Sequence, residues 1–371
     1  MLRTTPLAGR HLKAGAHMVD FAGWEMPQQY TGVRAEQRAV RTATGVFDVS
    51  HMGRFEVRGD APGEFLQTVV TNDVARLEPG QAQYNLMCAP DGGVIDDLVV
   101  YRAAERWPVV VNAANREKDL AWFRAHAPAG TEVVDLSAET CLLAVQGPMA
   151  AATLGSLEGA VVGIPHFGVA ETLIAGSRCL VSRTGYTGED GFELFVPATE
   201  CDRVWDGLLA AGAVPCGLAC RDVCRLEAGL RLYGNDMDES VNPYEAGLGW
   251  TVKLEKGEFI GRAKLAEVRE AGAARQLAGL RGAGRTIPRH DADVYLGERW
   301  LGRVTSGTYS FWLEAGIGFA LVEAGAVEAG SKVAIAARGG RAEAVVQALP
   351  FYRGSAGRVT GPATGRPASP V

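Results

Sequence analysis

Cysteine is sparse, with seven residues scattered through 371. That density excludes a disulfide framework and fits a reducing compartment. No apolar run reaches the ~18–20 residues of a membrane span, and the N-terminus lacks the apolar core of a signal peptide, so a cytoplasmic protein is expected. Positive charge is also short, 37 Lys and Arg against 43 Asp and Glu for a net charge of −6, which argues against a general nucleic-acid binder. The six histidines show no metal-ligand spacing. Gly247-Leu-Gly249, Gly282-Ala-Gly284 and Gly316-Ile-Gly318 lack the third glycine and the preceding strand of a dinucleotide site. Metal, flavin and nicotinamide are therefore not expected. What remains is the composition of an ordinary soluble enzyme, 47% hydrophobic and 22% charged, with room for two or three domains at ~150 residues each.

Strand and helix patterns alternate without a βαβ rhythm, which predicts an α+β fold. Helices are expected at Glu36–Thr44, Pro62–Val70, Glu117–His126, Glu200–Ala211 and Leu218–Gly229. Phe47–Val57 reads as one extended segment, with further strands at Val109–Asn112, Cys141–Gln146, Arg178–Ser182 and Phe192–Val196. After about Ala273 the texture turns to short strands, with turns at Gly282–Gly284, Leu296–Glu298, Gly307–Tyr309 and Arg338–Gly340. The expected organisation is an α+β region over 1–272, an antiparallel β-barrel-like domain over 273–353, and a disordered Gly/Ser/Pro tail over 354–371. No internal repeat is visible.

Asp91-Gly-Gly-Val-Ile-Asp-Asp-Leu-Val-Val-Tyr101 sets two adjacent carboxylates inside an apolar β pattern. Turn residues precede it, so a hairpin with Gln81–Cys88 is expected. Strict alternation puts Ile95, Asp97, Val99 and Tyr101 on one face and Val94, Asp96, Leu98 and Val100 on the other. One aspartate is then buried whichever face is inside, and the competing reading is a solvated strand start.

Ser182-Arg-Thr-Gly-Tyr-Thr-Gly-Glu-Asp-Gly-Phe-Glu193 is a polar, glycine-rich loop that holds Tyr186 between two glycines, where a ring can lie against a ligand. Arg221 and Arg225, four apart, share a helix side and either face an anion together or form surface ion pairs with Asp222 and Glu227. Cys216, Cys220 and Cys224 invite a metal reading, but a helix rising ~1.5 Å per residue holds the outer two roughly 12 Å apart. A buried stripe of small residues is the better account. His51, in Asp48-Val-Ser-His-Met-Gly53, is either a structural hydrogen-bonder or a catalyst.

Taken in order, these clusters resemble the aminomethyltransferase, or T-protein, family of the glycine cleavage system. The resemblance is carried by Met18-Val-Asp-Phe-Ala-Gly-Trp-Glu-Met-Pro27, Gly45-Val-Phe-Asp-Val-Ser-His-Met-Gly53, Gly80-Gln-Ala-Gln-Tyr84 and Gly92–Tyr101. It continues through Val111-Asn-Ala-Ala-Asn-Arg-Glu-Lys-Asp119, Ala144-Val-Gln-Gly-Pro148, Ser182–Glu193, Arg221–Asp236 and Glu245-Ala-Gly-Leu-Gly-Trp250. Thr305-Ser-Gly-Thr308 and Pro350-Phe-Tyr-Arg353 complete it.

The resemblance implies three subdomains in a cloverleaf around a folate channel, with tetrahydrofolate as co-substrate and the lipoylated H protein as partner. It implies Asp97 rather than Asp96 as the catalytic carboxylate, and Glu193 as the reader of the pterin edge. Tyr84, Val99, Tyr101 and Tyr186 match the channel walls. Arg221 matches a ligand-binding arginine, Arg353 lies near the folate tail, and Arg225 is a second choice. Departures from the family pattern are Phe311 for a proline, Gln37 for a common histidine and His17 for a frequent lysine, none at a proposed folate contact. The pattern starts near Met1, so a bacterial chain without a long transit peptide is expected. Two rivals share the fold: a stand-alone folate-dependent demethylase, and an iron–sulfur accessory protein whose diagnostic cysteine is here Glu258, in Lys256-Gly-Glu-Phe-Ile-Gly-Arg-Ala263.

Overall fold

Apolar alternation folds the first part of the chain into two large sheets that exchange segments, beside a small sheet of Arg3–Thr4, Trp24–Gln29 and His17–Phe21. The computed structural model describes residues 2–337 and 339–356. The first sheet orders its strands Gln81–Cys88, Val94–Arg102, Trp107–Val111, Gly53–Gly59 and Thr131–Asp135, all antiparallel. The second orders Val169–Ile174, Ser177–Ser182, Gly191–Pro197, Thr140–Gln146, Gly45–Asp48 and Val214–Pro215, the last pair parallel. Phe47–Val57 is therefore not one strand. The chain leaves the second sheet at Asp48, whose carboxylate accepts from the backbone N–H of Ser50 at 2.9 Å, and enters the first sheet at Gly53.

The expected hairpin forms, with one correction to its faces. A register shift between Met87 and Cys88 sets Asp96 opposite Met87 and Val94 opposite Cys88, leaving Ile95 unpaired. A bulge of this kind breaks the period-2 alternation at the extra residue. Ile95 packs with Leu98 and Val100, and Val94 joins Leu86 and Cys88 in a separate cluster.

The helices observed at Val33–Thr42, Pro62–Val69, Arg116–His126, Cys201–Ala210 and Leu218–Glu227 match the expected ones to within three residues. Sequence reading missed the short helices Ala8–Lys13 and Ala150–Gly155, the helix Arg262–Ala271, and the His17–Phe21 and Trp24–Gln29 strand pair. Among the described residues no helix is long and apolar enough to cross a membrane.

From Arg275 six strands close a barrel in the order Arg275–Gly282, Ala315–Glu323, Arg299–Ser310, Asp293–Leu296, Lys332–Ala337 and Gly340–Gln347. Gly307–Tyr309, expected as a turn, lies inside the long Arg299–Ser310 strand. Glycine is needed there for close approach: a Cβ on Gly307 would sit 1.7 Å from the Pro288 carbonyl oxygen. The Arg338–Gly340 turn is described only at Gly339 and Gly340, both at positive φ.

Three lobes meet pairwise. Tyr101 and Val110 of the first sheet pack with Leu142, Leu180 and Phe195 of the second. Leu226 packs with Ile317, Phe319 and Phe351 at the barrel, and Leu321 joins the cluster around Leu86 and Val94. This is the cloverleaf. The tail expected to be disordered from Gly354 is docked at its start: the Ser355 hydroxyl donates to Glu189 at 2.6 Å and accepts from the Asp190 N–H at 2.8 Å. Residues 357–371 lie outside those described.

Candidate active site

Asp97 sits on the face of the first sheet that looks toward the second. Its Oδ2 accepts from the Tyr84 hydroxyl at 3.0 Å, from the neighbouring strand, and its Oδ1 accepts from the Asn112 amide at 2.7 Å. Asn112 follows immediately on Val111, which pairs with Leu98, so register alone delivers the amide beside Asp97. The same amide reaches Asp96 Oδ1 at 2.9 Å. Asp96 is fully buried on the opposite face, whereas Asp97 is only partly covered. Desolvation first, then the Asp96 charge, push the Asp97 carboxyl up to about 7. A group poised near neutrality is suited to take and return a proton.

A pH dependence follows from that value. The unfolded Asp97 titrates near ~3.9, so between there and about 7 the folded protein holds a proton that the unfolded chain has released. Stability is then greatest below the lower value and falls as pH rises through the upper one. Asp97→Asn should remove the loss, leaving the variant about 1–3 kcal/mol more stable than the parent above neutrality and equal to it near pH ~4. Urea titrations at the two pH values check this, and a variant no more stable than the parent above neutrality would refute it.

Across from Asp97 stand the groups of the second lobe. Tyr101, two residues beyond Val99 on the Asp97 face, packs edge-on against Phe195 with ring centroids 5.3 Å apart. Phe195 and Glu193 alternate on one face of the facing strand. Glu193 Oε2 accepts from Thr184 at 2.5 Å, and Oε1 makes no bond among the described residues. The Tyr101 hydroxyl lies beside Thr184 and Glu193 without reaching bonding geometry, and burial pushes it well up. Tyr101 is fully enclosed, so it backs the site rather than lining open space. Val99 is partly buried against the same cluster.

The Tyr186 hydroxyl donates to the Arg231 carbonyl, and the Arg221 guanidinium lies 4.8 Å from the Tyr186 ring centroid. Arg221 Nη1 is buried without an acceptor. Glu193 and Tyr186 oppose the drop that burial imposes on Arg221, which places the three together. Tyr84 carries Trp250, half exposed, stacked on it at 6.0 Å. Tyr84, Asp97, Val99, Tyr101, Tyr186, Glu193 and Arg221 thus belong to one constellation.

Arg225 does not join it as a ligand. It is 1% exposed and donates to Asp222 at 2.9 Å, Asp236 at 2.7 Å, the Leu230 carbonyl at 3.1 Å and Ser306 at 2.8 Å. The shared helix side of Arg221 and Arg225 therefore does not make a joint anion site; Arg225 ties helix to barrel. Arg353 is exposed and makes no side-chain bond among the described residues. His51 is buried with Nδ1 unpartnered, and desolvation, assisted by Arg221 and Arg54, drives it down to about 3, so it stays neutral.

Cys216 precedes the helix rather than lying on it, and with Cys220 and Glu36 it forms a tight group. Glu36 already accepts from the backbone N–H groups of Tyr30, Thr31, Gly32 and Gly217, and burial raises both thiols. Both Glu36 oxygens are thus committed to backbone donors. Two surface hollows of about 600 and 610 Å³, near Val33 and Phe311 and along the barrel at Trp300 and Leu321, lie away from Asp97. Sequence reasoning assigned no role to Asn112, Thr184, Arg231 or Trp250. A polar residue one step past an apolar strand was the available signal for Asn112.

The family model described as the GCVT N-terminal domain matches residues 7–256, and the glycine cleavage T-protein C-terminal barrel domain matches 275–353. An aminomethyltransferase of Geobacillus kaustophilus is 46% identical over 361 residues, covering 95% of this chain and 99% of that one. One of Bacillus subtilis is 43% identical, covering 95% of this chain and all of that one. The crystal structure of the glycine cleavage system aminomethyltransferase T of Bartonella henselae superposes with a TM-score of 0.91 at 34% identity, covering 96% of this chain and 99% of that one. Two domain matches in order and nearly full-length identity at this level place the chain in the glycine cleavage T-protein family of aminomethyltransferases.

Proposed function

We infer that this chain transfers the aminomethyl carbon carried as a thioaminal on the lipoyl arm of H protein to tetrahydrofolate. The products are 5,10-methylenetetrahydrofolate, ammonia and the dihydrolipoyl arm. The observation that carries the reading is a single carboxyl held up to about 7, oriented by Tyr84 and Asn112 and set across from an open Glu193 oxygen. N5 and N10 of the folate must both bond to the transferred carbon, so positive charge develops there and a proton departs. A carboxylate at that place stabilises the charge and relays the proton. A pterin presents N3–H and a 2-amino group side by side, and a carboxylate accepts from both.

In this reading Tyr186 and Arg221 wall the folate site. Arg221, with one buried N–H unsatisfied, awaits an acceptor from the ligand. Arg353 serves the folate tail, and Arg225 is withdrawn from the binding set. Seven free cysteines and bacterial relatives support a bacterial cytoplasmic protein. Of the rivals, the iron–sulfur accessory reading finds Glu258 exposed and paired with Arg262 at 3.1 Å where its cysteine should stand.

The direct test is single-turnover release of ammonia and methylenetetrahydrofolate from aminomethylated H protein. Product above the uncatalysed rate, dependent on folate, supports the assignment; no product despite folate binding overturns it and sends the search to small methylated donors. Glu193→Ala should weaken tetrahydrofolate binding by about 1.5–3 kcal/mol, the scale of a charge-assisted hydrogen bond. Unchanged affinity by calorimetry would reject the pterin-edge role.

A further inference from the structure

Behind Asp97 lies a second carboxyl group that the mechanism above does not use. Asp119, in the first turn of the Arg116–His126 helix, is 0% exposed, and neither of its oxygens meets an N–H or O–H donor. An ionised carboxylate left so is costly. The charged groups that bear on it are Asp96, Asp97 and Lys118. Lys118 is turned elsewhere, donating to the Ile95 carbonyl at 2.9 Å, the Tyr233 hydroxyl at 3.0 Å and Glu239 at 2.9 Å. Asp96 is equally buried and is tied to Asp119 through Asn115, whose amide donates to Asp96 at 2.7 Å and whose carbonyl accepts from the Asp119 N–H at 2.8 Å.

The hydrogen bonds of Asp96 leave room for one more donor. It accepts from the Asn112 backbone N–H at 3.1 Å, from the Asn112 amide at 2.9 Å and from the Asn115 amide at 2.7 Å. A carboxylate offers about four acceptor sites. A proton on Asp119 supplies the missing donor and also removes its unsatisfied charge. The N-terminal field of the helix favours an anion at Asp119. Burial and Asp96 oppose it, pushing Asp119 up to about 11.

We propose that Asp96 and Asp119 hold one proton between them, Asp119 as the donor, and that this singly charged pair is a positioning element that governs the protonation of Asp97 without touching substrate. The link is Asn112, whose amide donates to Asp96 and Asp97 together. An ionised Asp96 fixes that amide, and its charge opposes ionisation of Asp97. Tyr84 and Asn112 act on Asp97 in the opposite sense, and Asp119, being neutral, adds no third charge. The functional half of the proposal rests on the transfer reading above.

The test has two independent arms. Infrared spectra of the resting protein at about pH 8, some four units above an ordinary aspartate, should show a protonated-carboxyl stretch that disappears in Asp119→Asn. Its absence from the parent protein overturns the shared proton. The second arm is the pH profile of single-turnover transfer. Asp96→Asn should move the acid limb to lower pH by about one unit, because a charge that opposed ionisation of Asp97 is gone. Asp119→Leu should slow transfer about tenfold, and Asp119→Asn, which keeps a neutral donor, should restore the rate to within about threefold with the limb unmoved.

A limb displaced by Asp119→Asn as far as by Asp96→Asn would mean that Asp119 is ionised. A limb unmoved by Asp96→Asn would mean that the pair only supports the fold. If Asp96→Asn does not fold, the infrared arm and the Asp119 pair of variants still decide. If the parent protein transfers nothing, the functional reading has failed, while the infrared band still locates the proton.

Discussion

Asp97→Asn should lower single-turnover transfer by ~10²–10⁴ and leave tetrahydrofolate affinity within about tenfold. Asparagine nearly preserves the shape and can still meet the Tyr84 hydroxyl, so the arrangement of side chains around position 97 is kept. It cannot carry a negative charge or receive a proton, so charge growing at the folate nitrogens loses its counterpart only as the transition state forms. The loss should therefore fall on turnover rather than on binding. The same substitution should stabilise the free protein above neutral pH, since it removes a carboxyl that folding holds up to about 7. Lower activity joined to higher stability is the expected signature of a residue kept for chemistry. Near-parent turnover would remove Asp97 from the mechanism.

The second large effect concerns the fold. Arg225→Met should cost about 3–5 kcal/mol of stability, because it strands Asp236, which is 1% exposed, as an unpaired charge. Asp236 gathers Arg225 at 2.7 Å, the Leu232 N–H at 2.9 Å, Thr305 at 2.6 Å and Ser306 at 2.7 Å, so the cluster joins the Leu218–Glu227 helix and the loop after it to the barrel. Chemical denaturation gives the loss. Tetrahydrofolate affinity of the folded variant should stay within about threefold of the parent, since the guanidinium is committed inside the protein. A drop in affinity of a hundredfold with little change in stability would return Arg225 to the binding set.

The α+β class, the Val94–Tyr101 hairpin, five of the helices and the C-terminal β domain were legible because local signals mark them: periodicity, β-branched runs and glycine turns. The candidate residues on that hairpin were legible for the same reason, since buried carboxylates contradict an apolar strand. The misreadings share a cause. Gly307 looks like a turn in one dimension, but its lack of a Cβ serves contact with Pro288, 19 residues away. Phe47–Val57 reads as one extended segment, yet it feeds two sheets.

Arg221 and Arg225 are alike in sequence, four apart on one helix. Packing separates them: one is left with an unsatisfied N–H under Tyr186, and the other is enclosed by Asp222, Asp236 and Ser306. Alternation likewise led to the expectation that one of Asp96 and Asp97 is buried, without showing what burial would do to either. Sequence by itself determined which segments pair and which residues are candidates for the chemistry, because backbone geometry fixes neighbours along a strand or helix. Tertiary structure alone decided which charges are compensated, since the desolvation and the partners that set a carboxyl's proton come from elements distant in the chain.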